Sequence, residues 1–581
     1  MTPHRPLLAI EAADNLRAAE ALLSALMGLG LQRVVLCPGS RSGPLALAAA
    51  RLESQGLALV TGIDERSAGF FAVGQTRADG EPTAVITTSG TAVANLLPAA
   101  VEADFSALPL LFITADRPER LKACGANQTV NQEAYLQPAC RALLQGPAAG
   151  LHGATDDRLL RLAQSAMRHA LGAPAGPVHL NLAFDEPLHA DLSGLPEAVA
   201  PAPLQLPSLF EPPGLSSLEP LDPDQPGVIV VGPWRRGHGG RFVAALQQLN
   251  RRTGWPILAD AASGLRGLPL PLVNGYDLLL VEPHRLPAAH QVLRLGSMPA
   301  SRRLQHWLAA FSGPQLVITE AEPRRQDPLA SGCRQHPHGL AAWSELLPAG
   351  EPSAASRANA ARWHEAERLL QQALDQQLLH QGPCTEPALA RTLQQQLPLE
   401  WPVMLASSSP VRDWESFAGR QSGHRTIVSF RGASGIDGTL SLACGLAQQW
   451  QRLLLVTGDL ALLHDANGWL WRRQLSAQLR IVLIDNAGGG VFEQLSIPRQ
   501  SMDFDRLFAM PQGCDALALA AAHGVPARDC SAMETLADDL QWLLEPGDAM
   551  RLLRCSTDRS RDAQLRQQLR DKPWWEQTPA A

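Results

Sequence analysis

Two short apolar runs in the last third of the chain, LLLVTGDL and IVLIDNAGGG, each end in an oxygen-bearing side chain, Asp459 after the first and Asn486 after the second. Residues 461–484 separate Leu460 from Asp485, 24 positions, which is room for a helix and two turns between neighbouring parallel strands. That spacing places Asp459 and Asn486 side by side at the carboxyl edge of a sheet, where doubly wound α/β folds bind ligands. A carboxylate, an amide oxygen and a bare glycine backbone at 488–490 suit Mg²⁺, which prefers oxygen ligands and shares its shell with phosphate. The glycines also let a backbone approach a diphosphate closely. Either dipeptide alone reads as an ordinary strand-end turn; the pair at this spacing favours a metal-diphosphate site.

The same alternation of strand-like and helix-like runs occupies the rest of the chain. Its 581 residues exceed one core, and a proline-rich stretch over 191–226, with nine prolines from Pro196 to Pro226, marks a first boundary. A second, PAGEPSAASRANA at 348–360, precedes the amphipathic RWHEAERLLQQALDQQLLH. Three α/β domains with doubly wound parallel sheets are expected, over about 1–190, 205–350 and 375–570. In the first, RVVLC, LALVTGI, PTAVITT and PLLFITA read as strands, with helices around 14–28, 43–54, 66–78 and 90–103. The third offers VMLA, RTIVSF, LLLVTGD, RIVLIDN and MRLLRC, and the middle GVIVVG, WPILAD and QLVITE. The glycines of GVIVVGPWRRGHGG lack the G-x-G-x-x-G order of a dinucleotide site, although Asp260 follows the next strand; a structural middle domain is the expectation.

Several partner classes are disfavoured. A net charge of -7 with no basic tract argues against nucleic acid. Nine scattered cysteines without C-x-x-C indicate neither a disulfide framework nor zinc, and fit a reducing cytoplasm. No uninterrupted apolar stretch approaches membrane-spanning length, so no membrane partner is expected.

The Asp459 and Asn486 arrangement resembles the diphosphate-binding signature of thiamine diphosphate enzymes, usually Gly-Asp-Gly followed at about this spacing by Asn-Asn. Here Leu460 and Asp485 make it a variant. Such enzymes also need a carboxylate hydrogen-bonded to the cofactor's aminopyrimidine, in another α/β domain. VTGIDERSAGFFAVG at 60–74 supplies Glu65 at the start of a helix, although as an acid at a helix N-terminus Asp64 is equally placed. What favours Glu65 is its company: CPGSRS, DERSAGFFAVG, TSGTAVAN, TADRP, GANQ, RGASGIDG, GDL and NAGGGVF occur in this order. Together they resemble the 2-succinyl-5-enolpyruvyl-6-hydroxy-3-cyclohexene-1-carboxylate synthases, thiamine diphosphate enzymes of menaquinone and phylloquinone biosynthesis.

The resemblance implies three domains of the thiamine diphosphate-binding type, pyrimidine-binding, middle and diphosphate-binding in chain order. It implies a transferase that decarboxylates 2-oxoglutarate and joins the four-carbon acyl unit to isochorismate by 1,4-addition. Thiamine diphosphate and Mg²⁺ (or Mn²⁺) are the implied cofactors, with Asp459, Asn486 and the Gly488 carbonyl as metal ligands, Ile436 supporting the bent cofactor and Glu65 as its catalytic acid. Substrates with four carboxylates between them call for arginines, whose planar fork binds carboxylate bidentately. Arg41, Arg117, Arg412 and Arg431 stand at matching positions, as do Ser40, Asn127, Gln128 and Ser408 for hydrogen bonding. Arg302 and Arg303 align with a basic pair, and Phe492 and Leu495 with an apolar wall against the cyclohexene ring. A homodimer or dimer of dimers, with active sites at the subunit interface, is also implied. Other thiamine diphosphate enzymes, such as 2-oxoacid decarboxylases or acetolactate synthases, would share Glu65, Asp459 and Asn486 but have less use for the arginines. A catalytically inactive relative would have lost one of the three.

Overall fold

The computed structural model describes residues 11–193, 197–200, 202–206, 221–233, 240–379, 381–420, 422–495, 497 and 503–571. Among these residues there are three six-stranded sheets, and every pairing between named strands is parallel. The first contains β1 (Arg33–Leu36), β2 (Ala58–Thr61), β3 (Thr83–Thr87), β4 (Leu110–Asp116), β5 (Leu143–Gln145) and β6 (Val178–Ala183), in the order 2-1-3-4-6-5. The middle one contains β7 (Gly227–Val231), β8 (Ile257–Ala259), β9 (Leu272–Val273), β10 (Gln291–Leu295), β11 (Gln315–Ile318) and β12 (Arg334–His336), in the order 12-11-10-7-8-9. The third contains β13 (Val403–Leu405), β14 (Ile427–Ser429), β15 (Arg452–Gly458), β16 (Gln478–Asp485), β17 (Ala527–Cys530) and β18 (Met550–Ser556), in the order 14-13-15-16-18-17. Numbered within each sheet, the first and third share one order and the middle differs.

The chain divides into two compact units, residues 1–211 with 431–449 and 467–474, and residues 212–430 with 450–466 and 475–581. In the first unit, helices α1 (Ala12–Gly28), α2 (Gly43–Leu52), α3 (Glu65–Asp79), α4 (Thr91–Ala94) and α5 (Leu97–Phe105) flank the sheet. Leu22, Leu26, Leu45, Val34, Ile86 and Leu180 form one apolar layer. Two distant stretches join this unit through specific contacts. The Trp471 indole stacks on Phe71 at 4.2 Å between centroids and donates to Ser67 Oγ at 2.8 Å, while Ser67 and Ser441 share a 2.7 Å hydroxyl contact. In the second unit, the long Ala354–Leu378 helix starts at the Ser353 cap and buries Trp363, Leu370 and Leu374 against Leu258, Val292 and Tyr276. Leu454, Val456, Val482 and Leu553 centre the core of the third sheet.

The local expectations hold with three differences. The helix expected over 90–103 is two, because Pro98 at the second position of α5 has no N–H to continue the ladder from α4. The crossover from Asp459 to Asn486 is a short helix, Asp459–His464, followed by a 3₁₀ segment, Ala466–Arg473, where Trp469 and Trp471 are buried. Strands β5, β6, β9, β10, β12 and β17 were not anticipated. Residues 194–196, 201 and 207–220 of the proline-rich stretch, and 234–239 of the glycine-containing one, lie outside the described residues. In the described part of the latter, a Cβ at Gly232 would overlap the Ser297 carbonyl, so this glycine serves close passage of two chain segments. Both Asp260 oxygens are taken by backbone, Oδ1 by Ala262 N–H at 2.8 Å and Oδ2 by Ala300 N–H at 3.0 Å. No helix among the described residues is long and apolar enough to cross a membrane.

Candidate functional site

The pairing of β15 with β16 in register, Gly458 opposite Ile484, brings Asp459 and Asn486 to neighbouring strand ends. Asp459 opens its helix; its Oδ1 accepts from Leu460 N–H at 2.8 Å and its Oδ2 from Gly488 N–H at 2.7 Å. Burial, with the nearby Asp485 charge, pushes the Asp459 carboxyl up to about 6 against these hydrogen bonds. A cation beside it would reverse that cost. Asn486 is 8% exposed, donates from Nδ2 to Glu386 Oε1 at 2.7 Å, and leaves its buried Oδ1 without a hydrogen-bond partner among the described residues. A buried amide oxygen without a partner is costly unless something else satisfies it. Gly488 has φ +123°, and a Cβ there would strike the Ala509 carbonyl, so only glycine suits the turn. Its carbonyl accepts from Gly490 N–H at 2.9 Å and keeps a second lone pair. No group of three or more His, Cys, Asp or Glu among the described residues could hold a metal. A cation here would therefore rest on one carboxylate, one amide oxygen, one carbonyl and whatever the ligand brings. That donor set fits Mg²⁺ on a diphosphate.

In the first unit, Glu65 occupies the first turn of α3, half-buried, with its Oε2 accepting from Asn95 Nδ2 at 3.3 Å. Asp64 is the N-cap: its Oδ1 takes the Arg66 and Ser67 N–H groups and its Oδ2 takes Asn467 Nδ2 at 2.7 Å. Both Asp64 oxygens are thus held by the protein. Of the two, Glu65 is the carboxylate with an oxygen left without a hydrogen bond among the described residues.

The loops after β1, β3 and β4 assemble a cationic corner. Arg117, 9% exposed, donates from Nη1 to Ser89 Oγ and, at 2.8 Å, to the Gln128 carbonyl. Gln128, at φ +57°, returns an amide hydrogen bond to the Ser89 carbonyl at 3.0 Å. Burial first and the Arg41 charge second lower the Arg117 pKa, which puts the two guanidiniums in one field. Arg41 donates to the Phe184 carbonyl at 3.0 Å and pairs with Glu186 at 3.2 Å, and its Nε is buried without a partner among the described residues. Ser40 and Asn127 are exposed nearby in sequence. The loop bearing Arg431 and Ile436 belongs to the same unit and is pinned by the buried Glu102, which accepts the N–H groups of Gly432, Ala433 and Ser434 at 3.1, 2.7 and 3.2 Å. Arg431 Nε is buried without a partner among the described residues, and Ile436 is half-buried.

The remaining expected residues lie in the second unit. Ser408, at φ +77°, immediately precedes the Ser409–Phe417 helix, and its carbonyl accepts from Arg412 Nη1 at 2.6 Å. Arg303 is tied to Asp277 Oδ2 at 2.6 Å, whereas Arg302 is exposed. Phe492 meets Phe508 edge-on at 5.8 Å, and Leu495 is 41% exposed. Ser89, Glu102 and Glu386 were not singled out from sequence. Ser89 lies within TSGTAVAN, whereas none of the motifs contains Glu102 or Glu386.

Residues 16–135 match the family model described as the N-terminal TPP binding domain of thiamine pyrophosphate enzymes, and residues 223–403 one described as the middle domain of thiamine pyrophosphate. A 2-succinyl-5-enolpyruvyl-6-hydroxy-3-cyclohexene-1-carboxylate synthase of Synechococcus sp. (strain RCC307) is 89% identical over 573 residues, 99% of this chain and 100% of that protein. The chain belongs to this synthase family. Proteins of the same name from Synechococcus sp. (strain CC9311) and Prochlorococcus marinus (strain MIT 9313) are 53% and 48% identical, each covering 94% of this chain and 98% and 97% of their own lengths. Membership in the synthase family makes the chain a thiamine diphosphate-dependent transferase of three α/β domains. Its Gly-Asp-Leu and Asp-Asn variants therefore stand within a family sequence.

Proposed function

We propose that this chain decarboxylates 2-oxoglutarate and adds the resulting succinyl unit to isochorismate, giving the succinylated cyclohexene product and carbon dioxide, a step of menaquinone or phylloquinone biosynthesis. Thiamine diphosphate, when bound, supplies the electron sink for the carbon that loses carbon dioxide. Asp459, Asn486 Oδ1 and the Gly488 carbonyl would hold Mg²⁺ or Mn²⁺ and through it the diphosphate. Glu65 holds and returns a proton at its carboxylate toward the aminopyrimidine. Ile436 supports the cofactor from the loop that Glu102 fixes. Arg41, Arg117, Arg412, Arg431, Arg302 and Arg303 are the proposed cations for substrate carboxylates, oriented with Ser40, Asn127, Gln128 and Ser408. Phe492 and Leu495 keep water from the ring. Residues 1–190, 205–350 and 375–570 then act as pyrimidine-binding, middle and diphosphate-binding domains, in a cytoplasmic homodimer or dimer of dimers with active sites at the subunit interface.

The observation that carries the reading is the buried Asn486 Oδ1 beside Asp459, without a partner among the described residues, in a chain whose other unit offers Glu65 with an oxygen to spare among them. Incubation with 2-oxoglutarate, isochorismate, thiamine diphosphate and Mg²⁺ tests it. Carbon dioxide and a product bearing both carbon skeletons are expected by mass spectrometry. Turnover of pyruvate with isochorismate ignored would overturn the assignment.

A further inference from the structure

An asparagine amide can present either its oxygen or its nitrogen, and a hard cation accepts only the oxygen. The choice at Asn486 is made by Glu386, whose Oε1 accepts from Nδ2 at 2.7 Å and so compels Oδ1 to face the other way, where it has no partner among the described residues. Glu386 is itself held from three sides. Its Oε2 accepts from Arg566 Nη2 at 2.7 Å, its backbone N–H donates to Asp562 Oδ1 at 3.0 Å, and Thr385 caps the helix it opens. Arg566 in turn grips Asp413 with Nε at 2.8 Å and Nη2 at 2.6 Å. All four of these acidic and basic side chains are at most 3% exposed. Of the acids around Arg566, Glu386 is the one whose carboxylate also meets Asn486.

We propose that Glu386 is a positioning residue of the cation site, fixing the Asn486 amide with its oxygen toward the metal. The inference rests on the cofactor reading above. Glu386→Gln preserves shape but lets both amides turn over together, so that Asn486 Nδ2 faces the site. Residues behind a metal ligand typically contribute about 10–100-fold in metal affinity.

The test is Mn²⁺ binding in the presence of thiamine diphosphate, followed by the loss of the free-ion electron paramagnetic resonance signal. Wild type should bind; failure of wild type to bind would remove the cofactor reading itself. Glu386→Gln should bind Mn²⁺ about 10–100-fold more weakly, with turnover restored at high metal. Asp413→Asn, which disturbs Arg566 and the side of Glu386 turned away from Asn486, should lower the melting temperature with a smaller loss of Mn²⁺ affinity than Glu386→Gln. If Glu386→Gln does not fold, Glu386→Asp keeps the charge beside Arg566 while withdrawing it from Asn486, and the same weakening is expected. Wild-type affinity in the Glu386 variant, or equal losses in the Glu386 and Asp413 variants, would overturn the proposal.

Discussion

The first and third sheets repeat one strand order, yet the loops at their carboxyl edges carry different chemistry. After β4 the first sheet presents Arg117 against Ser89 and Gln128, after β1 Arg41, whose charge acts on Arg117, and after β2 Glu65. After β15 and β16 the third presents Asp459, Asn486 and the Gly488 turn. Strand order thus fixes where ligands are met, while the residue after each strand decides which ligand. The interiors differ as well. Between β4 and β6, Thr114 Oγ1 contacts His179 Nε2 at 2.8 Å and Asn181 Oδ1 at 2.9 Å, and Gln132 joins Asn181 at 2.7 Å. The equivalent β16 and β18 pairing sets Ile481 opposite Leu552 and Val482 opposite Leu553.

This comparison can be broken in graded ways. The largest effect is expected at the third edge: Asp459→Ala should weaken Mn²⁺ binding beyond the roughly 10²-fold ceiling for a residue behind a ligand, as titration by electron paramagnetic resonance would show. A loss no greater than that of Glu386→Gln would deny Asp459 direct contact.

Next comes the buried histidine of the first sheet. Burial, against the opposing pull of Asp116, holds His179 down at about 4, whereas the unfolded chain titrates it near 6.5. Between those values the unfolded state binds the extra proton, so stability falls as pH drops from 6.5 to 4, by about 3 kcal/mol. Melting curves across that range should be flatter in His179→Gln; identical slopes would remove the histidine from the account. The smallest effect is at the α3 cap, where Asp64→Ala should cost about 1 kcal/mol of stability by thermal melting. Loss of cofactor chemistry greater than in Glu65→Gln would reverse the two acids.

Much of this was legible in the sequence where a single local rule governed. Apolar runs marked β1, β3, β4, β15 and β16, and the spacing between Asp459 and Asn486 made them neighbours. Strands β6 and β10 escaped because VHLNLA and QVLRL carry His179, Asn181 and Arg294 in buried positions. Their partners lie far away in sequence: Thr114 is 65 residues from His179, and the Gln326 carbonyl is 32 from Arg294. Edge strands β12 and β17, RQH and ARDC, have no apolar run to read. At the site, the helix N-terminus alone leaves Asp64 and Glu65 equivalent and the motifs favour Glu65; the physical reason, Asn467 occupying Asp64 from 403 residues on, lies in the fold. Glu386 was invisible for the same reason, since its meaning depends on Asn486 and Arg566, 100 and 180 residues away.

The central claim is a division of labour, with the third edge holding the cation and diphosphate and Glu65 moving the proton. It is tested most directly by C2 proton exchange of bound thiamine diphosphate in Glu65→Gln, with Mn²⁺ affinity measured on the same sample. Exchange slowed by about 10²-fold or more at unchanged Mn²⁺ affinity is the predicted result. Unchanged exchange, or a loss of Mn²⁺ affinity as large as the loss of exchange, would contradict it.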